Sequence, residues 1–168
     1  MTVGFNGMVY TTKAVLPLMQ KSGKGHIVNI GSCAGKIFSR SNCAYSAAKA
    51  AIDAFTQSLQ EEFNGTNINF TLIRPGIIAG TDFFKKNVPS NKMPRLADLF
   101  HYLTPPEVSN AVVCALYKKE KIVDIPGYLK VFYVLFTLYP EIIRKLNYLG
   151  GNSKRDYSKI QWSIPKKI

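Results

Sequence analysis

Ser32, Tyr45 and Lys49 are the residues whose types and spacing could do chemistry. Tyr45 and Lys49 lie four apart in a stretch of helical character, so they share one face about a turn from each other. A free tyrosine has a pKa of about 10 and is protonated near neutrality. A cation held close stabilises the phenolate, so Lys49 is expected to lower the Tyr45 pKa and let the phenol exchange a proton. Ser32 follows a short apolar run, residues 26–30, and Gly31. Its hydroxyl can hydrogen-bond a carbonyl oxygen and steady the negative charge that develops there. Tyr-x-x-x-Lys alone is weak, because a solvated pair of this kind on a helix usually does nothing chemical. A serine thirteen residues earlier, after a strand and a glycine, makes the combination far more specific.

Positioning these groups requires an ordered set of elements. Residues 5–22 show helical spacing through Met8, Thr12, Val15, Leu16 and Met19, and Gly23-Lys24-Gly25 ends the helix. Residues 26–30 form a short, continuously apolar strand of the kind buried on both faces of a parallel sheet. A polar loop leads to a long helix over 44–64, which stops at Asn64-Gly65. A strand over 68–73 is closed by Pro75-Gly76, and a loop with a short helix fills 81–101. Thr104-Pro105-Pro106-Glu107 reads as cap, proline and acidic first turn of a helix to 117. A short strand covers 121–125. Helices alternating with apolar strands predict an α/β, doubly wound parallel sheet with its site at the carboxyl ends of the strands.

With these pieces in order, the sequence resembles the short-chain dehydrogenase/reductase family, and specifically the second half of its Rossmann-like fold. The resemblance rests on Leu16-Pro17-Leu18-Met19, the run from Gly25 to Ser32, the Tyr45/Lys49 helix, Arg74-Pro75-Gly76 and Thr104-Pro105-Pro106-Glu107. It implies an NAD(P)-dependent oxidoreductase that interconverts a carbonyl and a secondary alcohol. Tyr45 would be general acid and base, Lys49 would lower its pKa and hold the nicotinamide ribose, and Ser32 would orient the substrate carbonyl. Pro75 and Gly76 would border the nicotinamide, Ile78 would offer it backbone hydrogen bonds, and Thr81 would touch the cofactor. The family's threonine stands five positions after its proline, where this chain has Gly80. The family's asparagine, three residues before a glycine, is replaced by Gly4. A glycine-rich turn for the pyrophosphate is not found among these residues, so the first strands and that turn are expected upstream of Met1. NAD cannot be told from NADP. The alternative reading is a cofactor-deficient relative serving as a scaffold or regulatory partner. Without its sheet neighbour, the chain is expected to be marginal alone and to associate as a homo-oligomer.

The 168 residues divide into a catalytic half over 1–127, apolar helices over 128–150 and a basic tail over 151–168. From residue 131 to 139 a single threonine interrupts apolar and aromatic side chains. This segment could serve as a substrate lid, a subunit interface or a peripheral membrane contact, and it points to an apolar, lipid-like substrate. The net charge is +12, and residues 144–168 hold seven Lys/Arg against one Asp. No nucleic-acid role is expected of this tail. No apolar run reaches the roughly 18–20 residues needed to span a bilayer, which with the odd cysteine number sets a cytoplasmic, reducing expectation. Three cysteines without paired spacing give neither a disulfide framework nor a metal site. Cys33 and Cys43 read as small buried packing residues, and His26 and His101 as surface or packing residues. Asp53, Glu61 and Glu62 read as a solvated helix face.

Overall fold

The computed structural model describes residues 2–38, 42–82, 101–143 and 145. Most of the expected 81–101 loop, the end of the apolar segment and the basic tail lie outside these residues. A π-helical turn, Thr2–Asn6, leads into α1, Gly7–Ser22. Gly23 then takes a left-handed conformation, φ 68°, and donates its N–H to the Gln20 carbonyl, which ends the helix. Strand β1, Gly25–Ile30, runs parallel to β2, Ile68–Pro75, and β2 runs parallel to β3, Ile122–Ile125. The order is β1-β2-β3, with Ile30 opposite Ile73 and Arg74 opposite Asp124.

Between β1 and β2 lies α2, Cys43–Glu62, an alanine-rich segment of high helix propensity. Helix α3, Pro105–Lys118, separates β2 from β3, and α4, Leu129–Leu138, follows β3. The start of α3 carries the expected capping box: Glu107 accepts from the Thr104 N–H and hydroxyl, both at 2.7 Å. Leu59, Ile68 and Phe70 form a core cluster against which Leu16, Met19, Ile27 and Phe55 pack.

Burial differs between the strands in a way the sequence pattern does not show. Strand β2 is buried along nearly its whole length, with Leu72 and Ile73 fully enclosed. Strand β1, expected to be buried on both faces, is half-buried over residues 25–28, with Asn29 buried and Ile30 exposed. The cause is position: β2 has a strand on each side, whereas β1 is at the sheet edge among the described residues. Its apolar run Ile27-Val28 suits a central strand, yet its outer backbone edge has no described partner.

Candidate active site

Parallel strands bring their carboxyl ends to one side, and the three chemical residues meet there. Ser32 lies two residues beyond β1 with an extended backbone. Its Oγ accepts the Ala34 N–H at 3.2 Å, which opens the 3₁₀ turn Cys33–Gly35. Gly31 ties the same loop to the sheet by donating to the Ile73 carbonyl at 2.8 Å. Gly35 then sets the contact with the helix, since a Cβ there would stand 2.9 Å from the Lys49 carbonyl oxygen. Only glycine permits that approach of backbone to backbone. The Ser32 loop therefore seats directly on the turn of α2 that carries Lys49. Across this contact the Ser32 hydroxyl faces the Tyr45 phenol closely enough to draw its pKa down. Lys49 lies one turn along, its Nζ 5.8 Å from the Tyr45 ring centroid.

The electrostatics differ from the expectation in one respect. Burial is the largest influence on Tyr45 and pushes its phenol above the usual tyrosine value; the Ser32 hydroxyl opposes this, and the Cys33 thiol nearby adds to it. Lys49 does not depress it in this geometry. Its Nζ instead donates to the Ile30 carbonyl at 3.0 Å, and burial pulls its own pKa below the usual lysine value. Ser32 and Tyr45 are thus coupled directly, while Lys49 is held by the end of β1.

The residues expected around a nicotinamide fall on the turn after β2. Pro75 ends that strand, and Gly76 donates to the Ile125 carbonyl at 2.7 Å. A Cβ on Gly76 would meet the Ile125 carbonyl and Pro126 at 3.4 Å and Leu129 at 3.5 Å, ordinary van der Waals contact, so this turn packs against β3 and the start of α4. Leu103 donates to Ile77 and accepts from Ala79, a parallel bridge that turns the backbone groups of Ile78 to the opposite edge. Gly80 occupies the left-handed region, φ 77°, which accounts for a glycine where the family pattern has threonine; Thr81 follows it, half-buried. Gly4 sits exposed in the π-helical turn and offers no side-chain amide.

The sequence reading missed a second group of residues, and here Asp53 is corrected. It is not on a solvated face but 3% exposed, on the same side of α2 as Tyr45 and Lys49, eight and four residues on from them. Arg74, 6% exposed, reaches Asp53 with Nε at 2.5 Å and NH2 at 3.0 Å, and Asp124, 8% exposed, with NH1 at 3.5 Å. Lys36, just after the 3₁₀ turn, adds a contact to Asp53 at 3.3 Å, and Tyr133 of α4 places its ring 5.9 Å from the guanidinium. Burial works against the charge of Arg74, but its bonds to Asp53 and the charges of both aspartates raise its pKa on balance. One guanidinium on β2 thereby joins α2, β3 and α4, and Asp53 ties in the Ser32 loop through Lys36. The Tyr133 hydroxyl is buried without a partner at hydrogen-bond distance, and burial first, then the Asp124 charge, pushes its phenol strongly upward. Cys33 is half-buried and Cys43 exposed, so Cys43 is not the packing residue its type suggested. Glu61 and Glu62 are exposed as expected.

This fold and this strand-end constellation define a class, and residues 1–92 match the short chain dehydrogenase family. The chain belongs to that family. An NADP-dependent 3-hydroxy acid dehydrogenase of Escherichia coli (strain K12) is 38% identical over 108 residues, 63% of this chain and 44% of the relative. An uncharacterized oxidoreductase of Staphylococcus aureus is 34% identical over 114 residues, 68% of this chain and 46% of the relative. Among solved structures, the closed form of serine dehydrogenase complexed with NADP+ is 33% identical with a TM-score of 0.60, covering 70% of this chain and 50% of that one. A short chain dehydrogenase from Burkholderia cenocepacia in complex with NADP shares the fold with a TM-score of 0.67 at 20% identity, over 85% of this chain and 55% of that one. The chain thus spans about half the length of the relatives it matches.

Proposed function

We propose that this chain carries the proton-transfer centre of an NAD(P)-dependent oxidoreductase that interconverts a carbonyl and a secondary alcohol. The observation that carries the reading is the seating of the Ser32 loop, at the carboxyl end of a parallel strand, on the turn of α2 that bears Lys49, with the Lys49 Nζ 5.8 Å from the Tyr45 ring. When bound, a nicotinamide supplies the two-electron redox partner for the substrate carbon. The chain's own part is binding, orientation and the proton. Ser32 donates to the substrate oxygen, and Tyr45 gives it a proton in reduction or takes one in oxidation. Lys49 is placed to hold ribose hydroxyls, while Pro75, Gly76, Ile78 and Thr81 border the ring. The names of the Escherichia coli dehydrogenase and of the NADP-bound serine dehydrogenase support a nicotinamide cofactor.

An apolar substrate is supported by α4, which packs Leu129 beside Gly76 and Phe136 against Phe38, with ring centroids 5.8 Å apart. The open edge of β1 supports association, either with further strands of the sheet or with another copy. The scaffold reading draws on Gly4, which cannot supply the family's amide. Turnover separates the two readings. Protein bearing this chain is expected to oxidise NADPH or NADH in the presence of medium-chain ketones, followed by loss of nicotinamide absorbance. No turnover with any carbonyl, together with no binding of either cofactor, would establish the scaffold role instead.

A further inference from the structure

Helix α4 is apolar on both of its sides. The inner side faces the site through buried Leu129 and Phe136 and through Tyr133 over Arg74. The outer side carries Val131, Val134 and Leu138, which are 59%, 55% and 64% exposed. These three are spaced i, i+3 and i+7, a single stripe along the helix. Ile142, in the helical turn after Pro140, is exposed as well. A helix with a second apolar stripe opposite its buried side ordinarily has that stripe enclosed too, so the outer stripe is a surface made to be covered.

We propose that the cover is an anionic lipid surface, with α4 lying in the plane of the interface. Charge selects this occupant. Exposed Lys130 and Lys145 bracket the stripe, and residues 144–168 carry seven Lys/Arg against one Asp. Positive charge of that density is drawn to anionic headgroups and falls under the same attraction that holds basic amphipathic helices at interfaces. The same charge works against a second copy, since each chain carries +12 and two copies would repel. Length selects the orientation. The ten residues of α4 rise about 15 Å, half of a hydrocarbon core about 30 Å thick. Among the described residues, no helix is long and apolar enough to cross a membrane. The helix therefore lies on the bilayer with its stripe in the acyl boundary and its inner side still on the protein. The proposal does not depend on the redox reading.

The test is co-flotation of the protein bearing this chain with vesicles of phosphatidylcholine, with and without phosphatidylglycerol. Binding is expected to be at least about tenfold tighter on the anionic vesicles and to weaken as salt screens the charge. Val134→Asp/Leu138→Asp, two exposed positions, should lose at least about tenfold in vesicle binding while keeping the wild-type circular dichroism. Should that pair disturb folding, Val131→Ser/Val134→Ser is the milder replacement with the same expected direction. Tyr117→Ser, an exposed aromatic on α3, should change nothing. Equal binding to both vesicles, or a stripe variant that binds as tightly as wild type, would overturn the proposal. So would a stripe variant that keeps vesicle binding but turns a dimer into a monomer in light scattering, which would assign the stripe to a second copy.

Discussion

At the scale of single residues, the site depends on a phenol that must both release and accept a proton. Burial holds the Tyr45 pKa above the usual value, and the Ser32 hydroxyl works against that rise. The sign follows directly. Alcohol oxidation needs the phenolate, so its rate should keep climbing as pH rises through about 10, whereas carbonyl reduction, which needs the phenol, should stay flat over the same range. An oxidation limb that levels off near neutrality would show that Lys49 governs the phenol after all. Ser32→Ala should lower kcat by about 10²–10³ with a small change in KM, the loss of one donor to a developing oxyanion; an unchanged kcat would remove Ser32 from the reaction. The three residues were legible in the sequence because two of them are fixed by helical periodicity and the third by a strand end. The state of the phenol was not legible, because it follows from burial and from where the Lys49 ammonium is anchored.

The elements matter through two devices. Gly35 lets the 3₁₀ turn seat on α2, and a methyl group there must push the Ser32 loop away from the Lys49 carbonyl. Gly35→Ala should therefore reduce kcat by about 10²-fold, the usual cost of a misplacement near 1 Å, while leaving cofactor binding intact. Equal losses in both would indicate general unfolding instead. The second device is the α3 capping box. The hydroxyl of Thr104, then its backbone N–H and His101, hold the Glu107 carboxyl at about 2 against an ordinary value of 4.5. A folded pKa below the unfolded one gives stability that is complete above 4.5 and is lost as pH falls towards about 2. The melting temperature should fall across that window, and Glu107→Gln should flatten the fall; superimposed profiles would contradict the cap's role. This cap was readable from Thr104-Pro105-Pro106-Glu107 because its contacts are local. The burial of β1 was not, since an apolar run looks alike at the centre and at the edge of a sheet.

Across the whole molecule, the Arg74 network joins what the sequence keeps apart. Asp53 lies 21 residues before Arg74 and Asp124 lies 50 after it, and only the parallel register of β2 and β3 sets Arg74 beside Asp124. That register, and the turn of α2 that aims Asp53 inward, explain why a charged residue read as solvated turned out to be buried. Arg74→Met would leave buried Asp124 without its cation and Asp53 with Lys36 alone, and should cost about 3–5 kcal/mol in urea unfolding. Adding Asp53→Asn should recover part of that loss; a cost within experimental error would show that the network does not hold the site together. The α/β order and the strand-end site were legible from the alternation of helix and strand, because right-handed parallel crossovers leave few other arrangements. The central claim is that Tyr45 moves the proton of a nicotinamide-linked redox reaction, and Tyr45→Phe in the protein bearing this chain tests it most directly. The account predicts a loss of about 10²–10⁴ in kcat with cofactor affinity unchanged. Near-wild-type turnover by Tyr45→Phe would contradict it.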